Sequence, residues 1–165
     1  MRLIFGLGNP GFEYERTRHN AGFIILDGYA NEKGLSWGHE GKFKATMAKG
    51  DDFWLVKPLD NMNNSGSVVR TVADFYKVTG NDIYIFHDDV DLEFGRIKRQ
   101  LGGGTAGHHG VIDIVEKLGT PDFWRVRIGV GRPLANKFDV MDWVLKDFTE
   151  EELNFVRSVK VGELV

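Results

Sequence analysis

The chain has no cysteine. Disulfides, thiolate nucleophiles and cysteine-ligated zinc are therefore excluded from its chemistry. It has no excess of positive charge either. Its 21 Lys and Arg stand against 24 Asp and Glu, a formal net charge of -3, so no global basic field announces a nucleic acid. Such a partner would have to be held by a local patch. A long hydrophobic run is also missing. The opening residues Met1-Arg2-Leu3-Ile4-Phe5-Gly6 are too short an apolar stretch for a signal peptide or a membrane span. The reading is a cytoplasmic chain with no membrane partner. Repeats, low-complexity tracts and linkers are absent as well. What remains is a single domain over residues 1–165, large enough for a sizeable core.

Strand and helix patterns alternate along it. Leu3-Ile4-Phe5 reads as a strand ending in a Gly-Asn-Pro-Gly turn. Asn20 to about Glu32 is predicted helical. Phe43–Met47 and Phe53–Val56 form a predicted strand pair joined through Gly50-Asp51-Asp52, and Pro58–Gly66 a polar loop. From Ser67 to about Lys77, Val68, Val69, Val72, Ala73 and Tyr76 fall on one helical face. Further strands are expected at Ile83–Phe86, Arg96–Leu101 and Trp124–Val130, and helices at Gly110–Leu118 and Val140–Leu145. Thr149 with Glu152 makes a capping box that opens a last helix. The sum is an α/β fold, a twisted mixed sheet flanked by helices.

Two short segments carry the most chemistry. His19 stands just before the apolar run Gly22-Phe23-Ile24-Ile25-Leu26, where a helix would start, and is exposed enough there to act. Asp88 closes the apolar run Ile83–Phe86. A carboxylate at a strand end can fix one imidazole nitrogen and leave the other free as a base. The loop Asp60–Gly66 offers asparagine carboxamides, donors and acceptors without charge, suited to a neutral ester and a water. Asn64 or Ser65 there could equally be a helix cap.

Other features are weaker. Gly6-Leu7-Gly8-Asn9-Pro10-Gly11 matches a dinucleotide fingerprint, but Pro10 has no N–H and the polar stretch Phe12–Arg18 separates it from a helix. No acidic residue closes a second strand about twenty residues on. The glycine-dense segment Gly102–Gly110 lacks the ending of a P-loop and reads as a lid or a backbone surface near a ligand. Asp88, Asp89 and Asp91 invite a magnesium site, although no second acidic cluster completes one. His87 reads as structural. Arg96, Lys98, Arg99, Arg125, Arg127 and Arg132 would form a basic patch if their strands are neighbours.

Taken together, Gly-Leu-Gly-Asn-Pro-Gly, Tyr14 with Thr-Arg-His-Asn-Ala-Gly, Met-Asn-x-Ser-Gly, His-Asp-Asp-Val-Asp-Leu, Gly-Gly-Gly-x-x-Gly-His-x-Gly and Arg-Val-Arg-Ile-Gly-Val-Gly-Arg-Pro resemble the bacterial-type peptidyl-tRNA hydrolase family. The motifs occur in the family's order over nearly the whole chain. The resemblance implies a monomeric esterase without metal or other cofactor. It would cleave the bond between a peptide's carboxyl and the 3′-terminal ribose of tRNA, recycling tRNA from abortive translation. By the same resemblance His19 is the general base and Asp88 its orienting partner. Asn9 and Asn63 contact the peptide end, and Asn9 helps tell blocked from free aminoacyl-tRNA. Tyr14 lies beside the tRNA end, Met62 lines the site, and Arg127 grips the 5′-phosphate with Lys98 and Arg99 nearby. The chain departs from the pattern at Asn61, usually an aromatic, at His109, usually an asparagine, and at Gln100, usually a lysine. On a strand, Arg99 should face away from Gln100. The chain also ends at Val165, earlier than the family usually does. Two other readings are a catalytically weakened RNA-binding relative of the same fold and a metal-dependent hydrolase built on the three aspartates.

Overall fold

In a computed structural model, which describes residues 1–134 and 139–165, seven strands form one sheet. They are β1 (Arg2–Gly6), β2 (Gly38–Glu40), β3 (Ala45–Lys49), β4 (Phe53–Pro58), β5 (Ile83–Asp89), β6 (Ile97–Leu101) and β7 (Trp124–Gly129). Their order is β2-β3-β4-β1-β5-β7-β6. The middle four, β4, β1, β5 and β7, run parallel, and β2, β3 and β6 pair antiparallel at the edges. The mixed, helix-flanked sheet expected from the sequence is present.

Strand periodicity divides the core in two. Leu3, Phe5, Ile83 and Ile85 face one side, where helices α2 (Ser65–Tyr76) and α3 (His109–Leu118) cover them with Val68, Val69, Val72, Val111 and Ile114. Ile4, Tyr84, Phe86, Val126 and Ile128 face the other side, against α1 (Ala21–Glu32) and α5 (Glu150–Arg157). A short α4 (Val140–Val144) precedes α5, which opens on the expected Thr149–Glu152 capping box.

Some boundaries differ from the sequence reading, each for a local reason. The segment Arg18–Asn20 is a 3-10 turn, and α1 begins only at Ala21. Phe43 lies in a 3-10 turn, so β3 starts at Ala45. Helix α2 starts at Ser65, earlier than expected, and neither Asn64 nor Ser65 caps it with its side chain. Asn64 Nδ2 instead donates to Asp60 Oδ1 at 3.1 Å, and the Ser65 hydroxyl donates to the Met62 carbonyl at 2.8 Å. The cap in this loop is Asn61, whose Oδ1 accepts from the Asn63 N–H and closes the 3-10 turn Met62–Asn64. Strand β5 runs on to Asp89, because β7 pairs with it through Asp88 and Asp89.

Glycine sets how closely α1 meets the sheet. A Cβ on Gly22 would stand 2.5 Å from the Leu7 nitrogen, and one on Gly6 2.5 Å from the Gly22 carbonyl oxygen. No side chain fits in either place. This contact brings the first turn of α1, and His19 just ahead of it, against the carboxyl ends of β1 and β5. In parallel α/β sheets, ligands bind in the crevice outside such strand ends.

Candidate active site

His19 and Asp88 meet at that crevice, both buried. His19 is therefore not the exposed residue expected from its place before the helix, because the close packing of the first turn of α1 on the sheet covers it. His19 Nδ1 lies 2.9 Å from Asp88 Oδ2. Burial opposes the charged form of each, but their mutual attraction wins. Asp88 is held well below the usual carboxylate range by the charges and hydrogen bonds of His19 and His108. For His19, burial pulls the pKa down, and the Asp88 charge and hydrogen bond more than offset it, leaving it above the ordinary histidine value. An ionised carboxylate only accepts, so His19 Nδ1 carries the proton and Nε2 is left as a free base.

The second imidazole on Asp88 is His108, at 2.8 Å from Nε2 to Oδ1. Its tautomer is fixed by the helix it precedes. His108 caps α3, with Nδ1 accepting from the Val111 N–H at 3.3 Å. The proton therefore sits on Nε2 and is donated to Asp88. Sequence reasoning singles out its neighbour His109 and misses His108. A signal exists in the chain, since His108 stands at the N-cap position of a helix whose start the glycine run marks.

Of the residues singled out from the sequence, Asn9, Tyr14 and His19 line the same cavity of about 310 Å³ as Asn61, Met62, Asn63 and His109. Asn9 is held on three sides. Its N–H donates to Asn20 Oδ1 at 2.9 Å, its carbonyl accepts from Asn20 Nδ2 at 2.9 Å, and its own Oδ1 accepts from the Met62 N–H at 2.9 Å. With Oδ1 committed, the group Asn9 can offer a ligand is the Nδ2 donor. Buried Asn20, which sequence reasoning passes over, is the brace behind it. His109, the first residue of α3, is exposed at the rim.

The basic patch is smaller than the sequence suggests. Strands β6 and β7 are neighbours, with Lys98 opposite Arg127, so these two share a face. Arg99 points to the other face and stacks over Trp124 at 4.0 Å, away from Arg127. Arg125 is buried, donating to the Gly104 and Pro121 carbonyls. Arg127 Nε donates to buried Asp89 at 2.7 Å, and its Nη1 to Gln100 Oε1 at 2.9 Å. Arg132 pairs with Asp91 at 2.6 Å, and Arg96 with Glu93 at 3.7 Å.

These pairs also account for two of the three aspartates offered as a magnesium site: Asp89 and Asp91 each hold an arginine. Among the described residues, His19, Asp88 and His108 alone bring three potential metal-ligating atoms within 4.8 Å of one another. In that group one nitrogen of each ring already faces an Asp88 oxygen. Nearby His87 is buried, with Nδ1 donating to the Asp88 carbonyl at 2.8 Å. Burial and the neighbouring His108 push its pKa down to about 4. It is neutral at pH 7, in keeping with a structural role.

A buried histidine oriented by a carboxylate, opening on neutral carboxamides at the carboxyl edge of a parallel α/β sheet, defines a hydrolase-type site with an imidazole base. The comparisons agree. The family profile described as Peptidyl-tRNA hydrolase matches residues 3–162, and the chain belongs to that family. It is 44% identical over 161 residues to the peptidyl-tRNA hydrolase of Desulfitobacterium hafniense, covering 96% of this chain and 86% of that one. It is 45% identical to the Cupriavidus necator protein of the same name, covering 92% and 82%. The crystal structure of peptidyl-tRNA hydrolase from Acinetobacter baumannii superposes with a TM-score of 0.87 at 37% identity, over 94% of this chain and 81% of that one. Among the described residues no helix is long and apolar enough to cross a membrane.

Proposed function

We propose that this chain hydrolyses the ester joining a peptide to the 3′-terminal ribose of tRNA, with His19 as general base. The observation that carries the reading is the 2.9 Å contact from His19 Nδ1 to Asp88, which leaves Nε2 for the cavity. A water there gives its proton to Nε2 while its oxygen attacks the ester carbonyl carbon. Asp88 stabilises the imidazolium that forms. The tetrahedral oxyanion needs donors, which Asn9 Nδ2 and the Asn63 amide supply without a competing charge. Collapse breaks the bond to the ribose oxygen, which takes the proton back from Nε2. An ester of this kind is reactive enough that no step requires a metal.

The acceptor end of tRNA lies toward β7 in this reading. Arg127 and Lys98 contact the 5′-phosphate, Tyr14 borders the terminal nucleoside, and Met62 and Asn61 border the peptide end. The protein works as a cytoplasmic monomer, where translation supplies its substrate. The test is peptide release from N-acetyl-aminoacyl-tRNA in excess EDTA. Release that persists in EDTA, spares free aminoacyl-tRNA and falls by about 10²–10⁴ in His19→Ala supports the mechanism. Release abolished by EDTA would restore a metal hydrolase, and tRNA binding without release would restore the RNA-binding relative.

A further inference from the structure

A cavity of about 800 Å³ among the described residues, larger than the one that His19 lines with Asn9, does not include His19. It lies between the Pro10–Phe12 turn, the Phe23–Asn31 side of α1 and the β3–β4 edge at Thr46 and Lys57. We propose that it is an extended peptide subsite, holding the residues upstream of the one whose carboxyl is esterified. The inference rests on the hydrolase reading given above.

Three observations carry it. First, the two cavities are neighbours that share a lining residue, Asn9. Because Asn20 grips the Asn9 backbone on both its N–H and its carbonyl, that shared wall is rigid. Second, the sheet orders the site. Strands β7, β5, β1 and β4 lie side by side and parallel, followed by β3. Arg127 is on β7, Asp88 on β5, and Asn9 follows β1. A substrate with its ester at His19 and its tRNA toward Arg127 has its peptide directed the other way, toward β4 and β3. The large cavity is at that end.

Third, the lining suits a chain of any sequence. Its volume is in the range of pockets that enclose ligands well above amino-acid size. Its charges are of both signs, Glu15 and Asp27 beside Arg16, Lys57 and Arg157, and two of the cations are engaged: Lys57 donates to Asp27 and Arg16 to Glu150, each at 2.6 Å. Asn31 and Thr46 add polar groups that can meet main-chain amides and carbonyls. At the rim Phe12 is 86% exposed, an aromatic left in water that a passing side chain can cover. No single feature selects one residue type, as a hydrolase of abortive translation products requires.

The test compares acetyl-alanine with acetyl-penta-alanine, both with free carboxylates, titrated into the wild-type chain and read by ¹⁵N–¹H spectra. Both should shift Asn9 and Asn63. Only the pentapeptide should also shift Phe12, Thr46 and Lys57. Kinetics give an independent arm. For peptidyl-tRNAs of one to five residues, the loss of kcat/KM in Thr46→Trp, which fills the cavity, should grow with length, reaching about tenfold, the size of one well-made contact. Phe12→Ser, at an exposed position that the fold does not need, should show the same trend more weakly. Pentapeptide shifts confined to Asn9 and Asn63, or losses independent of length in both variants, overturn the subsite. Absence of any release from N-acetyl-aminoacyl-tRNA overturns the hydrolase reading instead, and the spectra still decide where a peptide binds.

Discussion

Asp88 receives His19 on one carboxylate oxygen and His108 on the other, at 2.9 and 2.8 Å. The base is therefore set by three residues from different layers of the fold. His19 precedes α1, Asp88 is the last residue but one of β5, and His108 caps α3. Donation from His108 spreads the Asp88 charge and so limits how far Asp88 can raise the pKa of His19.

Removing that donor should move the pH profile. In His108→Ala the whole carboxylate charge acts on His19, the imidazolium is favoured further, and the acid limb of kcat/KM should shift to higher pH. The same change removes the α3 cap, which costs about 1 kcal/mol. His108→Asn, whose carboxamide can still cap, should recover the thermal stability without recovering the wild-type limb. Equal limbs in all three proteins would show that His108 does not reach Asp88 in solution.

Arg127 has two duties that must be separated. It pairs with buried Asp89, so Arg127→Ala strands a charge and should cost about 1–3 kcal/mol of stability as well as raising KM for full tRNA substrates. Asp89→Asn combined with Arg127→Gln removes both charges. The pair should regain stability in a thermal melt while KM stays high. Recovery of KM along with stability would mean that the arginine supports the fold and does not hold phosphate.

Gln100→Lys adds a cation on the face that carries Lys98 and Arg127. Log affinity against log salt should steepen by about 0.7–0.9 for each additional phosphate neutralised, with all tRNA species affected alike. An unchanged slope would mean that the added lysine does not reach a phosphate.

His109 sits at the cavity rim, first in its helix, and Asp88 is already saturated by two other rings. His109→Asn should keep or raise kcat/KM on N-acetyl-aminoacyl-tRNA. A collapse in rate would make His109 a proton carrier in its own right.

Much of this is legible in the residues, for physical reasons. The apolar runs Leu3–Phe5 and Ile83–Phe86 mark strands buried on both faces, and Thr149 with Glu152 marks a helix start. The pairing of His19 with Asp88 is readable because one precedes a helix and the other closes a strand, and such ends converge in an α/β sheet. The short edge strand Gly38–Glu40 gives no signal, since its residues are polar and take strand geometry only by pairing with β3. The sign of the Arg127 environment is also hidden. That Asp89 turns to neutralise it depends on the β5–β7 register, in which His87 faces Arg127 and Asp89 follows. His108 escapes a reading of the sequence because adjacent histidines differ only in which one the helix start claims.

The central claim is that His19 works as a base tuned by Asp88, and the pH dependence of kcat/KM on N-acetyl-aminoacyl-tRNA tests it most directly. In the wild type, activity should fall on the acid side along a limb set above the ordinary histidine pKa, because Asp88 raises it. In Asp88→Asn the charge is gone and the burial of His19 is unopposed. The limb should move to lower pH, and the maximum should drop by about 10²-fold or more as the ring loses its orientation. An Asp88→Asn enzyme with the wild-type limb and rate would contradict the account.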